Sequence, residues 1–366
     1  IAANPKLLNY AIPKLAISEI IKGGEQSLKA LALFSGGLDS LLAIKLIQET
    51  GVEIEAVYFL QPFLSQKEER KVVSHLQNLI SQLQVKLHII RLDDDYLRML
   101  EAPAHGYGKA FNPCLDCHIF FLRKAGEMMN ELGADFLVTG EVVGQRPKSQ
   151  YKTAFPIIDS ESGLAGLIVR PLSAGLLPPT IPEIKGWISL KHCPSIQGRQ
   201  RKVQLELAKK YDLKFETPAG GCLLTNVEYG RKVRDLLAAD GMLTSNSLRL
   251  LSIGRHFRFS PKYKGIIGRN HQENQELFRY FYARRWDAHL YLLKALGAPG
   301  PLALGLGEPS SEDLRNLSLL TIRYSDHPYQ SKVSVKILTS GKDHQQATFI
   351  EEKTDNQRLI EKFRIN

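Results

Sequence analysis

The stretch Ala30-Leu31-Ala32-Leu33-Phe34-Ser35-Gly36-Gly37-Leu38-Asp39-Ser40 decides the fold. Five apolar residues closed at once by a Ser-Gly-Gly turn read as a buried parallel strand. Leu41, Leu42, Ile44, Leu46 and Ile47 then keep a helical pattern to about Thr50. A strand that runs through glycines into a helix offers backbone N–H groups and a helix N-terminus to an anion. Ser35 and Ser40 add hydroxyl donors, and Asp39 is placed to hold a magnesium ion or to orient the first turn. No G-x-x-x-x-G-K-[ST] occurs, so this is not a Walker loop. A glycine turn with Asp39 as helix cap is the plainer alternative.

Working outward, strands are expected over 54–59, 86–92 and 135–139, with helices over 66–83 and 119–132. Strands alternating with helices at this spacing give an α/β fold, an open and mostly parallel sheet covered on both faces. Ligands in such sheets sit outside the carboxyl ends of the strands, where the loop at 35–40 falls. Residues 1–29 read as a short helical lead-in. The Pro- and Gly-rich stretch around 170–182 reads as irregular chain leading to a helix over 199–211. The sheet unit is therefore expected over 30–240, and a smaller α+β unit over 241–366. Within the second unit the pattern gives a strand and turn at 264–270 and a helix over 272–285. Strand-like alternation follows at 319–324 and 332–338, with 348–352 less defined.

At 366 residues with 43% hydrophobic and 23% charged residues, the chain is an ordinary folded protein of two or three domains. No window reaches about 18 uninterrupted apolar residues, which removes a membrane-spanning helix. Lys14, Glu19 and Lys22 break up the N-terminal apolar residues, so a signal-peptide layout is lacking and the expected compartment is the cytoplasm. The formal charge is +10. Between Leu190 and Arg285, 19 Lys and Arg stand against 8 Asp and Glu, so this region accounts for the whole excess. Such a field suits a phosphate-rich partner.

The hexapeptide at 35–40 resembles the PP-loop, S-G-G-x-D-S, of the ATP pyrophosphatase superfamily. That resemblance implies cleavage of ATP between its α- and β-phosphates and adenylation of a carbonyl oxygen. The segment Val138-Thr-Gly140-Glu141-Val-Val-Gly144-Gln145-Arg-Pro-Lys-Ser149-Gln150 is similar to the T-G-E-x-x-G-Q-x-x-S-Q run of the tRNA 4-thiouridine synthases, the ThiI family. One residue more separates Gln145 from Ser149 here than in that run. Arg170-Pro171-Leu172 matches the family's R-P-L. The resemblance implies thiolation of a tRNA uridine with ATP and Mg²⁺. The cofactor-binding residues would be Ser35, Gly36, Gly37, Asp39, Ser40, Phe59, Gly140, Glu141 and Gln145. The alternatives are 2-thiouridine synthesis, an amidating or ligating PP-loop enzyme, and a non-catalytic RNA-binding protein.

Four cysteines are too few for a disulfide scaffold. Cys114 and Cys117 form a C-x-x-C expected just ahead of a helix, and Cys222 follows Gly220-Gly221. This is similar to thiouridine synthases that hold a [4Fe–4S] cluster on three cysteines. Cys114, Cys117 and Cys222, with Asp39, are then the expected catalytic residues, and the three thiolates the metal ligands. Zinc held with Cys193 or His118, or a metal-free persulfide pair of Cys117 and Cys222, are the other arrangements. Cys193 is otherwise set aside as an ordinary thiol.

Relative to the best-known 4-thiouridine synthases, no THUMP-like domain is expected ahead of the PP-loop and no rhodanese-like extension after it, which leaves the sulfur donor open. The RNA grip is expected in the basic region. It would comprise Arg199, Arg201 and Lys202, then Arg231, Lys232 and Arg234, then Arg255, Arg258, Lys262, Lys264 and Arg269 with Phe257, Phe259 and Tyr263 interleaved for stacking. The run Lys264-Gly-Ile-Ile-Gly-Arg269-Asn-His-Gln-Glu-Asn274 resembles the RNA-binding domain of NFACT proteins. The alternative is a basic unit that pairs two copies as a homodimer.

Overall fold

The computed structural model describes residues 27–216, 222–341 and 346–365, so the expected lead-in lies almost wholly outside the described residues. The first unit alternates β1 (Lys29–Leu33), α1 (Leu38–Gln48), β2 (Glu53–Leu60), α2 (Gln66–Ser81), β3 (Leu87–Arg91), α3 (Asp94–Glu101), α4 (Cys114–Glu131), β4 (Phe136–Thr139), α5 (Ala154–Glu161) and β5 (Ile168–Val169). The short α6 (Ile181–Ile184), then α7 (Lys202–Lys210), α8 (Val227–Asp240) and α9 (Ser245–Leu250) follow. The five strands are all parallel, in the order β3-β2-β1-β4-β5.

The chain winds outward from β1 through β2 to β3, then returns to lay β4 on β1's other edge. The loops after β1 and β4 therefore leave in opposite directions and open a crevice between them, the switch point of an open sheet. Ala30, Ala32 and Leu41 pack in one cluster, whereas Leu31, Ile119 and Leu122 pack in another. Successive residues of β1 thus point to opposite faces, and α1 covers one face while α4 covers the other.

The second unit holds β6 (Arg255–Ser260), β7 (Tyr263–Ile267), α10 (His271–Ala283), β8 (Leu290–Ala295), β9 (Leu302–Gly307), α11 (Ser311–Arg323), β10 (Lys332–Thr339), β11 (Gln346–Glu352) and α12 (Gln357–Phe363). Its six strands run antiparallel in the order β11-β10-β8-β9-β7-β6. Ile267, Leu293 and Ala303 pack with Leu317 and Leu320 of α11, while their neighbours Ile266, Leu292 and Leu304 pack with Leu277 and Phe281 of α10. The strand period sends each face to its own helix.

Residues 319–324, expected as a strand, form the last turns of α11 and the connection after it. The four apolar-rich residues Leu319-Leu320-Thr321-Ile322 alternate only locally. The deciding signal is upstream, where Ser310 and Asp313 close a capping box that starts the helix. Cys114 and Cys117 also differ from expectation, since helix α4 begins at Cys114 and takes both into its first turn.

Helix α8 bridges the two units. Its Asp235 accepts from Arg258 at 2.8 Å and from Lys264 at 3.4 Å, both on the antiparallel sheet. On the opposite side Arg234 donates to the Ala110 carbonyl, and Tyr229 and Val233 pack with Tyr96 and Phe111. Burial pulls the Lys264 ammonium down to about 8 although Asp235 faces it.

Candidate active site

The loop after β1 closes on its own side chains. Gly36 takes φ +75°, a left-handed conformation open to glycine. Ser40 donates to the Gly37 carbonyl at 2.8 Å, and its Oγ lies 3.3 Å from the Ser35 N–H that donates to it. The Gly37 N–H donates to Ser35 Oγ at 3.3 Å. Gly37 is the N-cap of α1 and offers no capping side chain. The end of an 11-residue helix, with its uncapped N–H groups, is therefore left to an anion.

Across the crevice, Gly140 touches this loop so closely that a Cβ there would lie 2.6 Å from the Asp39 carbonyl carbon and from the Ser40 nitrogen. Only a glycine lets the chain leaving β4 pass the first turn of α1. The next residue, Glu141, is buried and fully engaged. Its Oε1 lies 2.7 Å from His118 Nδ1, and its Oε2 accepts from Thr139 at 3.1 Å and from Arg170 at 2.8 Å. Arg170 also makes a fork to Asp159 at 2.6 and 2.9 Å and lies over the Phe155 ring. Burial alone would raise the Glu141 pKa, but Arg170 and His118 outweigh it and hold the carboxyl at about 2. Asp159, with the same arginine as partner, is pushed up because its burial outweighs the pairing. Glu141 thus anchors the Arg-Pro-Leu segment to the crevice, with both of its oxygens engaged.

A tight turn follows. The Gly144 N–H donates to the Gln150 carbonyl at 2.6 Å, and the Gln150 N–H returns to the Arg146 carbonyl at 3.3 Å. Gln145 points inward, and its Nε2 donates to Asp39 Oδ2 at 2.9 Å. The other carboxylate oxygen, Asp39 Oδ1, is buried with no hydrogen-bond partner among the described residues. That orphan acceptor at the helix end fits a hard cation such as Mg²⁺. Lys148, at φ +71°, reaches the Tyr107 carbonyl at 3.1 Å and ties the turn to the segment ahead of Cys114.

Cys114, Cys117 and Cys222 lie within electrostatic reach of one another, although 105 residues separate Cys117 from Cys222. All are free thiols. Asn112 Nδ2 donates to Cys114 Sγ at 3.1 Å, and the Tyr96 hydroxyl lies 3.8 Å from Cys117 Sγ. Burial pushes the Cys117 thiol far up, and Cys222 and Cys114 lie near enough to raise it further. Cys222 is also raised by burial, while the nearby Arg146 guanidinium acts to lower it. Among the described residues no group of three His, Cys, Asp or Glu side chains is set at metal-binding spacing. As donors, thiols have the soft chemistry that an iron–sulfur cluster takes.

Phe59 stands at the end of β2 with its ring stacked on Phe121 at 5.4 Å. The interleaved aromatics of the basic run are a correction. Phe257, Phe259 and Tyr263 are core residues, 0%, 9% and 0% exposed, because the strand period turns them onto α11. Several of the run's cations are also engaged. Arg258 and Lys264 face Asp235, Arg269 pairs with Glu273, and Arg255 lies over Tyr324. Arg199, Lys202 and Arg231 are exposed. Sequence reasoning passed over Arg146 and Tyr96, and held His118 only as a zinc ligand. The signal for His118 was its position one helical turn beyond Cys114.

Residues 25–175 match the family described as Thiamine biosynthesis protein (ThiI), and residues 254–364 match the NFACT protein RNA binding domain. Two stretches of the chain thus match known family models, one of ThiI and one of the NFACT RNA-binding domain. The PP-loop, Gly140, Glu141, the turn at 144–150 and the C-x-x-C all lie inside the ThiI match. A probable tRNA sulfurtransferase of Acetivibrio thermocellus is 36% identical over 119 residues, which are 32% of this chain and 29% of the relative. A tRNA-specific 2-thiouridylase MnmA of Campylobacter curvus is 31% identical over 125 residues, 32% of this chain and 35% of that relative. The chain thus spans well under half the length of these curated relatives. A solved 4-thiouridine synthetase–RNA complex with bound ATP is 24% identical, covers 50% of each chain and superposes with a TM-score of 0.32. No helix among the described residues is long and apolar enough to cross a membrane.

Proposed function

We propose that this chain thiolates a uridine of tRNA in the cytoplasm, with ATP as the activator of the base carbonyl. Ser35, Gly36, Gly37 and Ser40 bind the phosphates, and Asp39 holds Mg²⁺ through its free oxygen. Phe59, Gly140 and Gln145 border the nucleotide, and Glu141 keeps the crevice in shape. A uridine carbonyl oxygen is a poor leaving group. Attack of that oxygen on the α-phosphorus releases pyrophosphate and joins the oxygen to AMP, which carries the departing charge. Cys114, Cys117 and Cys222 would hold a [4Fe–4S] cluster, which when bound supplies an open iron site for sulfur. The catalytic unit is assigned to residues 30–240 and RNA binding to 241–366. The ThiI-like run at 138–150 favours the 4-position of the base.

The observation that carries this reading is the turn at 144–150. It carries Gln145, which donates to Asp39 of the nucleotide loop, and Arg146, which lies within electrostatic reach of Cys222, and this supports a phosphate site and a sulfur site that serve one reaction. The test is mass spectrometry of tRNA from cells whose only copy is wild type, Asp39→Ala or Cys222→Ala. Thiouridine is expected in the first and absent from both variants, and fragmentation of the base tells which carbonyl is replaced. Unchanged thiouridine in both variants would overturn the proposal. Iron and sulfide content after anaerobic purification, with Cys114→Ala as control, tests the cluster on its own.

A further inference from the structure

The turn at 144–150 separates two neighbouring side chains by task. Gln145 is half-buried and committed to Asp39. Arg146 is exposed and makes no ion pair among the described residues. An arginine on a free loop would be an ordinary surface cation, but this one is not on a free loop. Its carbonyl accepts from Gln150 at 3.3 Å, Pro147 follows it, and Lys148 is anchored on the Tyr107 carbonyl. Ser149 and Gln150 behind it are 2% and 5% exposed. The backbone of Arg146 is therefore fixed at the mouth of the crevice, one residue from the contact with the nucleotide loop and within electrostatic reach of Cys222.

We propose that Arg146 binds the phosphate of the adenylated base and neutralises the charge that develops on it when sulfur displaces AMP. The inference rests on the thiolation reading above and assigns a residue to its second step. In that step a hydrosulfide, HS⁻, attacks the activated carbonyl carbon. The carbon–sulfur bond forms, the carbon–oxygen bond to the adenylate breaks, and the electron pair leaves on the phosphate oxygen of AMP. The sulfur's proton moves to N3 of the base, so nothing is oxidised or reduced. The phosphate of the adenylate carries one negative charge as a diester and gains a second as AMP departs. A guanidinium that reaches the α-phosphate from this anchored backbone compensates charge that appears only as the bond breaks, and so it accelerates this step selectively. Adenylation moves charge onto pyrophosphate instead, on the far side of the α-phosphorus, and has no comparable need of Arg146.

Two readouts on the full chain separate the steps, with tRNA, ATP and sodium sulfide under anaerobic conditions. One is RNA-dependent exchange of pyrophosphate into ATP, which reports adenylation. The other is single-turnover formation of thiolated RNA at saturating RNA. In Arg146→Ala, exchange is expected to stay within about twofold of wild type while thiolation slows by about 10²–10³-fold, the usual loss for one such donor. Arg146→Lys should recover part of the rate. Equal slowing of both readouts, or full thiolation by Arg146→Ala once RNA is saturating, overturns the inference, and the latter marks Arg146 as an RNA-backbone contact only. A wild-type chain that exchanges pyrophosphate but forms no thiolated RNA overturns the thiolation reading, and the role of Arg146 falls with it.

Discussion

Glu141 shows how one side chain is settled by its surroundings rather than by its motif. Its carboxyl titrates near 4.5 when unfolded and about 2 when folded. A depressed folded value means that the charged form stabilises the fold, fully above pH 4.5 and progressively less as the pH falls toward 2. The shift corresponds to roughly 3 kcal/mol at neutral pH. Glu141→Gln leaves Arg170 with Asp159 alone, and a loss of about 3–5 kcal/mol is expected at neutral pH. In urea melts the gap between variant and wild type should narrow steadily below pH 4.5, and a constant gap would show that the charge is not what matters. The motif made Glu141 legible as important, but not as an anchor. Its charged partners His118 and Arg170 lie 23 and 29 residues away and are joined only by folding. Arg146 escaped notice for the opposite reason, since an exposed arginine carries no pattern.

At the scale of elements, the crevice exists because α1 and the chain leaving β4 touch backbone to backbone. Gly140→Ala would force a methyl group to 2.6 Å from two backbone atoms that cannot turn aside. The variant should lose about 1–3 kcal/mol of stability and bind ATP more weakly, because the strain falls on the first turn of α1. Thermal melting with and without ATP checks both, and a variant matching wild type in each would refute the tight approach. Four of the five parallel strands were legible because each is a short apolar run bounded by turn residues, whereas β5, only Ile168–Val169, was too short to leave such a run. Helix α8 was read only as basic clusters, although its Asn226 N-cap accepts from Tyr229 N–H and Gly241 closes it at φ +73°. Gly230 in its middle weakened the helical pattern. A Cβ there would lie 2.9 Å from the Phe111 backbone nitrogen, so packing, not propensity, fixed the residue. The aromatics of β6 and β7 misled in another way: without knowing which face was covered, core rings pass for stacking platforms.

Across the whole molecule, the positive charge is partly consumed in internal pairs, and the proposed thiolation of tRNA leaves exposed cations of both units to meet its phosphates. Arg199 and Lys202 are exposed and Arg201 is half-buried at the start of α7. Replacing all three by alanine should weaken tRNA binding and reduce the slope of log affinity against log salt by about 2–3, close to one for each phosphate left without its cation. Filter binding across a salt series measures this, and an unchanged slope would move the grip elsewhere. The bond between Gln145 and Asp39 spans 106 residues of chain. Local helices form quickly, but pairings this distant in sequence are reached late, after the intervening loop has been closed. During synthesis the nucleotide loop therefore leaves the ribosome long before its other wall, and the nascent chain has no complete crevice for ATP until β4 and the following turn have emerged and docked beside β1.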